Sequence, residues 1–141
     1  MVRSKLPTPA SARYLYPPMA LLTTADFLVT LAEPTRLRVL NCVAAAPIFV
    51  SDLVAVLGLP QPTVSRHLRV LRELEVVRDL PLPPFVLYQL APASGPRARL
   101  LRAVLDAVRD DAPFAADRLA ARQRSRSELH ARLARTDADA G

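Results

Sequence analysis

The sequence has few of the residues on which several common kinds of protein depend. Its single cysteine, Cys42, cannot form an internal disulfide or supply a cysteine cluster for a metal within one chain. Its three glycines form no glycine-rich loop that could hold a phosphate. No apolar stretch reaches the roughly 18 uninterrupted residues that a membrane-spanning helix needs. We therefore expect a soluble protein without a membrane partner.

Two further absences concern location and catalysis. The charges of Arg3 and Lys5 are followed by prolines and hydroxyl residues, where a signal peptide would have a continuous apolar run. This pattern, together with the single cysteine, predicts a cytoplasmic protein. The sequence also shows no Ser/His/Asp set and no pair of carboxylates in a plausible cleft, so we expect no enzyme and no cofactor.

Arginine is the charged residue that the sequence has in excess. Eighteen arginines and one lysine against 13 acidic residues give a net charge of +6. On a chain of 141 residues, which has room for one ordinary domain, this surplus favours a polyanionic partner. A solvated basic surface would have the same composition, so the placement of the arginines has to decide between the two.

Proline content and apolar spacing divide the chain into three parts. Residues 1–18 are rich in proline without sustained periodicity and predict an extended N-terminal arm. Residues 19–112 carry the helical and strand patterns of one domain. Residues 113–141 predict a helical extension that frays into a disordered tail by Thr136, and Pro113 either starts a new helix or kinks the preceding one.

Three helices are predicted in the first half of the domain. The apolar residues of the first recur at helical spacing from Met19 onward and are Leu21, Leu22, Ala25, Leu28, Val29 and Ala32. Pro34 fits the first turn of a second helix, which ends before Pro47. Ser51 is a plausible N-cap of a short third helix, and Gly58 ends it.

The segment 61–74 predicts a fourth helix with two different faces. Its apolar side carries Val64, Leu68 and Leu71, and its opposite side carries Pro62, Arg66, Arg69 and Glu73. Two short helices around a glycine turn, the second with a basic outer face, indicate a helix-turn-helix.

The second half of the domain predicts a hairpin and a long helix. Val76-Val77 and Phe85–Leu90 are typical of strands, and the loop between them has an unusual apolar tip at Leu80–Pro84. A helix over residues 96–112 has the apolar stripe Leu101, Val104, Leu105 and Val108. The predicted fold is mainly α with a small β-hairpin wing, a winged helix-turn-helix.

Two segments carry a resemblance to a known family. Residues 31–40 read LAEPTRLRVL, and residues 57–71 read LGLPQPTVSRHLRVL. With these segments, residues 19–110 resemble the ArsR/SmtB family of bacterial repressors. The resemblance implies a sequence-specific DNA-binding transcriptional regulator, a repressor that an effector releases from its promoter. Pro60 stands where the family usually has a serine, which removes a helix cap but still allows a rigid helix start.

The start of the fourth helix supplies the candidate DNA-binding residues. A helix fits the major groove, where Gln can bond an adenine edge and Arg can bond guanine or phosphates. The candidates are Gln61, Thr63, Ser65, Arg66, His67 and Arg69. Local helix capping is the alternative for the two hydroxyl residues, and a solvated face is the alternative for Arg66. Geometry leaves His67 open between the DNA surface and the core boundary, and the resemblance implies the DNA surface.

The sequence lacks the residues with which two groups of family members bind their effectors. Arsenic-binding members of the family carry a Cys-x-Cys pair where this chain has no cysteine, at residues 48–52. Zinc-sensing members place Asp and His ligands on the C-terminal helix, but residues 97–112 contain no histidine, so we expect no metal site. Cys42, which falls off the predicted apolar stripe, is a possible redox or effector residue. An unknown small-molecule effector near Phe85 or Tyr88 is the other possibility.

Uncovered apolar surface on two of the predicted helices indicates a homodimer. The first helix and the helix over residues 96–112 have more apolar surface than a three-helix core covers, which favours a homodimer through these helices. Such a dimer would bind an inverted-repeat operator in double-stranded DNA, with half-sites about one helical turn apart. The alternative is a winged-helix protein-interaction module without specific DNA binding, which the apolar wing tip Leu80–Pro84 favours.

Overall fold

The structure is a computed structural model that describes residues 22–140, without the side chains of residues 127, 129 and 133. Its elements, in chain order, are α1 (Thr24–Leu31), α2 (Pro34–Ala45), β1 (Ile48–Phe49), α3 (Val50–Leu57), α4 (Gln61–Glu73), β2 (Val77–Leu82), β3 (Phe85–Leu90), α5 (Pro96–Val108) and α6 (Phe114–Asp139). The mainly helical fold with a small antiparallel sheet confirms the predicted fold class. The predicted arm at residues 1–18 and the first predicted helical residues, 19–21, lie outside the described residues.

The first helix begins later than predicted and buries a different face. The Thr23 hydroxyl caps α1 by accepting a hydrogen bond from the Asp26 N–H at 3.1 Å. Phe27 and Leu31 are the residues that α1 buries, whereas Leu28 and Val29 are 37% and 74% exposed. Because α1 is apolar on two sides, its spacing alone could not tell which side meets the core.

The second helix starts at Pro34, as predicted, with Glu33 as its cap. The two carboxylate oxygens of Glu33 accept hydrogen bonds from the N–H groups of Thr35 and Arg36, at 3.3 and 2.7 Å. The prediction that Cys42 lies off the apolar side of α2 is wrong, since Cys42 is fully buried in the core. The reason is that α6 covers this side of α2 and places the Asp117 carbonyl oxygen 3.9 Å from the Cys42 sulfur.

The third helix confirms its predicted end but not its predicted start. Gly58 ends α3 in the left-handed conformation, with φ 66°, which favours glycine. Phe49 rather than Ser51 precedes the first turn, so the predicted cap is wrong. The chain enters α3 directly from β1, a two-residue strand that was not predicted.

The sheet has three antiparallel strands in the order β1, β3, β2. Strands β2 and β3 form the predicted wing, paired from Val77 opposite Leu90 to Leu82 opposite Phe85. The strands reach further than predicted, because Leu80–Leu82 belong to β2 and only Pro83 and Pro84 form the turn. The short β1 pairs with β3 and joins the wing to the helical core.

The last two helices settle the question at Pro113. Leu101 and Leu105 are buried on α5, Val104 and Val108 are partly buried, and Pro113 starts a new helix. That helix, α6, continues to Asp139, so the predicted disordered tail from Thr136 is wrong over the described residues. None of the described helices has the length and apolar character needed to span a membrane.

Polar contacts hold α6 against the rest of the chain, which is why its low apolar content misled the prediction. The Arg38 guanidinium makes two hydrogen bonds to Asp117, at 2.8 and 3.0 Å. The Asn41 side-chain amide donates to the Phe114 carbonyl oxygen at 3.1 Å, and the Ser125 hydroxyl donates to the Pro47 carbonyl oxygen.

Candidate nucleic-acid interface

The fourth helix is fixed by one face and open to solvent on the other. Val64, Leu68 and Leu71 are fully buried, and they anchor α4 to the core as the spacing predicted. Four of the candidate residues are exposed, namely Gln61, Ser65, Arg66 and Arg69. A fifth, Thr63, is half-buried. The structure therefore exposes four of the six candidate residues along one side of α4, with Thr63 half-buried next to the apolar side.

The start of α4 is organised by the backbone. Pro60 stands at the cap position without a side-chain cap, and its carbonyl oxygen accepts from the N–H groups of Thr63 and Val64 at 3.1 and 3.2 Å. Within residues 22–140, no hydrogen bond engages the hydroxyls of Thr63 and Ser65, so local capping is not their role there. The N-terminus of α4 is the positive end of its helix dipole, and the exposed Gln61 stands at this end.

A groove of about 350 Å³ runs between α4 and the wing. Its lining residues are Pro62, Ser65, Arg66, Arg69, Arg72 and Tyr88. Arg72, which the sequence analysis did not select, is one helical turn after Arg69 and could have been found by extending the basic face. The Arg72 guanidinium lies 3.5 Å from the Asp79 carboxylate, a contact that ties α4 to β2. Burial raises the pKa of the Tyr88 phenol, which keeps it a neutral hydrogen-bonding group beside these arginines.

His67 does not join the exposed face. Its side chain is buried, and Nδ1 lies 3.7 Å from Glu33 Oε2 without a hydrogen-bond partner among the described residues. Burial lowers the pKa of His67, with the charges of Arg36 and Arg66 adding to the effect and that of Glu33 opposing it. The structure thus places this histidine at the core boundary, the alternative that the sequence left open, and not on the exposed side of α4. The reason is that Glu33, at the start of α2, covers this part of α4.

Glu33 connects the start of α2 to His67. Burial raises the pKa of the Glu33 carboxyl, but the N–H groups of Arg36 and Thr35 and the charges of His67 and Arg36 lower it by more. Arg36 also donates to the Thr30 carbonyl oxygen at 2.7 Å, which ties α2 to α1. Glu33 therefore caps α2 beside the buried His67 of α4, and Arg36 ties α2 to α1.

Cys42 has the surroundings of a core residue. Burial, followed by the nearby Asp117 carboxylate, raises its pKa to about 12, although Arg38 opposes the effect. A thiol with so little thiolate reacts slowly with oxidants and electrophiles. Nothing around Cys42 supports the suggested redox or effector role. Among the residues that the structure describes, no group of three or more His, Cys, Asp or Glu side chains could hold a metal ion.

The order of these elements defines the class of the protein. Helix α3, the turn at Gly58 and helix α4, followed by the β2–β3 hairpin, form a winged helix-turn-helix domain. Residues 33–79 match the family model described as "Bacterial regulatory protein, arsR family". This match confirms, over residues 33–79, the resemblance to the ArsR/SmtB family of regulators that the sequence predicted.

One relative is similar to this chain in sequence, and one solved structure is similar to it in fold. The chain is 36% identical over 67 residues to a "Transcriptional repressor SmtB homolog" of Synechocystis sp.. That match covers 48% of this chain and 51% of the relative, so the chain spans about half of its length. The solved structure "Reduced HlyU from Vibrio cholerae N16961" superposes with a TM-score of 0.50 at 24% identity, covering 59% of this chain and 81% of that one. The structural likeness shows the fold.

Proposed function

We propose that this protein is a sequence-specific DNA-binding transcriptional regulator that acts as a repressor. The observation that carries the proposal is the exposed polar and basic face of α4 on a helix whose other face is locked into the core. An α-helix with such a face fits the major groove of double-stranded DNA. The family segment at residues 33–79 includes all of α4, and the Synechocystis relative is named a repressor.

The position of each side chain on α4 suggests its role. Gln61 stands at the N-terminal end, which reaches base edges in proteins of this class, and it can bond an adenine in two places. Arg66 and Arg69 lie further along the exposed face and can bond guanine or neutralise phosphates. Thr63 and Ser65 add hydroxyls for bases or phosphates. Arg72 and Tyr88 line the groove toward the wing, and we propose that they contact the DNA backbone there.

The proposal includes a homodimer through α1 and α5. Leu28 and Val29 of α1 are exposed, and Val104 and Val108 of α5 are only partly covered by their own chain. A second copy could cover these apolar groups and thereby stabilise a two-fold dimer. Two copies of α4 would then read an inverted-repeat operator with half-sites about one helical turn apart.

We further propose that a small-molecule effector releases this repressor from DNA in the cytoplasm. The effector would not bind as it does in arsenic-sensing or zinc-sensing members. Residues 48–52 contain no cysteine for the first site, and residues 97–112 contain no histidine for the second. Both ligand sets need residue types that these segments of the chain do not have.

A selection from genomic DNA fragments tests this function. The purified protein is used to recover bound fragments, and its affinity for the recovered sequence and for a scrambled one is measured at several salt concentrations. The proposal predicts an inverted repeat, bound by two copies with an affinity that falls steeply with salt. Equal and weak binding to both sequences would contradict it.

One observation favours a second candidate, a winged-helix protein-interaction module without specific DNA binding. Leu80, Leu82, Phe85 and Val86 are exposed large apolar residues on the wing, where a DNA-binding wing would benefit from basic residues. Equal binding to the recovered and scrambled sequences would favour this candidate.

A further inference from the structure

The wing has one apolar side that α6 covers only in part. In the β2–β3 pairing Leu82 lies opposite Phe85 and Leu80 lies opposite Leu87, so the four side chains share one face of the hairpin. Leu87 is buried. Leu80, Leu82 and Phe85 remain 42–43% exposed.

A cavity of about 550 Å³ lies between this face and the end of α6. The sheet and its turn contribute apolar groups, which are Phe49, Leu82, Pro83 and Phe85. The described residues that α6 contributes are polar, namely Arg132, Arg135, Thr136 and Asp139. The volume is in the range of small-molecule sites, and the two walls differ in chemistry.

Arg132 forms a fixed part of the wall. Its guanidinium carbon lies 4.2 Å from the centre of the Phe49 ring and 3.5 Å from that of the Phe85 ring. Arg132 Nε lies 2.7 Å from Glu128 Oε1, so its charge already has an anionic partner. The stack holds the Phe85 ring, and with it the tip of the wing, against α6.

Arg135 is the cation in the cavity that an anion can reach most readily. Its side chain is 66% exposed, and Nη2 lies 3.7 Å from the same Glu128 oxygen that Arg132 contacts more closely. Asp139 lies one helical turn further along the rim, where it would repel a second negative charge. A ligand with one negative charge, placed at Arg135, therefore fits better than a dianion.

We propose that this cavity binds a small amphipathic carboxylate, with an aromatic or branched aliphatic body against Leu82, Pro83 and Phe85 and its carboxylate on Arg135. The apolar wall buries the hydrophobic surface of the ligand body. The exposed guanidinium of Arg135 can form two hydrogen bonds to the carboxylate. The ligand body competes with Arg132 for the face of Phe85.

The consequence for DNA binding rests on the proposed function. The wing follows α4 after three residues, and the Arg72–Asp79 contact joins the two elements. A ligand that separates Phe85 from Arg132 would shift the wing relative to the exposed face of α4. The ligand therefore lowers the affinity of the protein for its operator.

Ligand binding is tested first, without DNA. Phenylbutyrate is titrated into the ¹⁵N-labelled full chain and followed by NMR, with phenylbutanol and phenylbutylamine as neutral and cationic probes of the same body. We expect phenylbutyrate to shift the amide signals of Phe49, Leu82 and Phe85 and to bind about tenfold more tightly than either other probe. Equal affinity for the three probes, shifts confined to other parts of the chain, or no binding by any of them would overturn the proposal.

Two variants separate the roles of the cavity walls. Arg135→Gln should abolish the preference for phenylbutyrate over phenylbutanol and leave the affinity for phenylbutanol unchanged. Arg122→Gln, at an exposed arginine of the same helix that does not line the cavity, is the matched control and should retain the preference. Retention of the preference in Arg135→Gln would contradict the assignment of the carboxylate to Arg135.

The link to DNA is tested with the operator recovered by selection. At a phenylbutyrate concentration that saturates the wild-type cavity but not the weaker Arg135→Gln cavity, we expect operator binding to weaken more for the wild-type protein than for Arg135→Gln. If the probe binds the cavity and operator affinity stays constant, the regulatory part of the proposal is wrong. If the protein selects no operator, the DNA-binding function fails, while the NMR result still decides whether the cavity is a ligand site.

Discussion

Arg38 on α2 and Asp117 on α6 form a two-point ion pair, with Nε 2.8 Å from Oδ2 and Nη2 3.0 Å from Oδ1. The Asp117 side chain is buried, and that of Arg38 is about one quarter exposed. The hydrogen bond to Asp117 raises the pKa of Arg38, more than burial lowers it, so Arg38 stays charged. This contact fastens the start of a 26-residue helix to the domain that carries α4.

Removing one partner of this pair should destabilise the fold. Arg38→Ala leaves the Asp117 carboxylate buried without its partner, and we expect the free energy of unfolding to fall by about 2 kcal/mol in urea titrations. Arg109→Ala, whose contact with Asp106 is long and exposed, is the matched control and should cost no more than about 0.5 kcal/mol. Equal effects of the two substitutions would show that the buried pair does not hold α6.

The same packing should protect the single thiol. With its pKa raised from 9.0 to about 12, Cys42 has about a thousandfold less thiolate at pH 8 than an ordinary cysteine. We expect iodoacetamide to alkylate the native protein very slowly and the urea-unfolded protein rapidly, measured by mass spectrometry. Arg38→Ala should speed alkylation in the folded state because it loosens the cover over Cys42. Rapid modification of the native wild-type protein would contradict the placement of Cys42 in the core.

The elements that the sequence predicted best are those whose packing leaves a regular pattern. Val64, Leu68 and Leu71 occur at the spacing of a helix that buries one face, and they are buried in the structure. Gly58 was predicted as a helix end, and its positive φ shows the physical reason. The exposed face of α4 therefore followed from the sequence, apart from His67.

The errors occur where stability comes from contacts that leave no such pattern. Arg38 and Asp117 are separated by 79 residues, so no local spacing could show that they hold α6 in place. The strand β1 has only two residues, too few for an alternation to be seen. His67 lies at the edge of the apolar stripe, and only the position of Glu33 shows which side it takes.

The proposed dimer can be broken by a charge on α1. Val29→Asp would force a carboxylate into an apolar interface, so we expect the dimer dissociation constant to rise by at least about tenfold in sedimentation equilibrium. Leu119→Asp on α6 is the control, since Leu119 is similarly exposed, at 61% against 74% for Val29. A wild-type protein that stays monomeric, or equal dissociation by both variants, would contradict the assignment of the interface to α1.

His67 should make the fold less stable in mild acid. Its folded-state pKa is lowered from 6.5 mainly by burial, so the unfolded chain binds more protons as the pH falls through this range. The free energy of unfolding should therefore decrease from about pH 7.5 to about pH 5.5, and urea titrations at each pH measure this slope. His67→Gln should lack this part of the slope. An unchanged slope in that variant would show that His67 is not the group responsible.

The most direct test of the central claim is the effect of Arg66→Ala on operator binding, measured by fluorescence anisotropy at several salt concentrations. Because Arg66 lies on the exposed face of α4, we expect the affinity to fall by about tenfold or more and, if Arg66 contacts a phosphate, the salt slope to decrease by about one. Gln61→Ala should weaken binding with little change in the salt slope, and Arg122→Ala on α6 should have no effect. Wild-type affinity in an Arg66→Ala protein of unchanged stability would contradict the assignment of α4 as the DNA-reading helix.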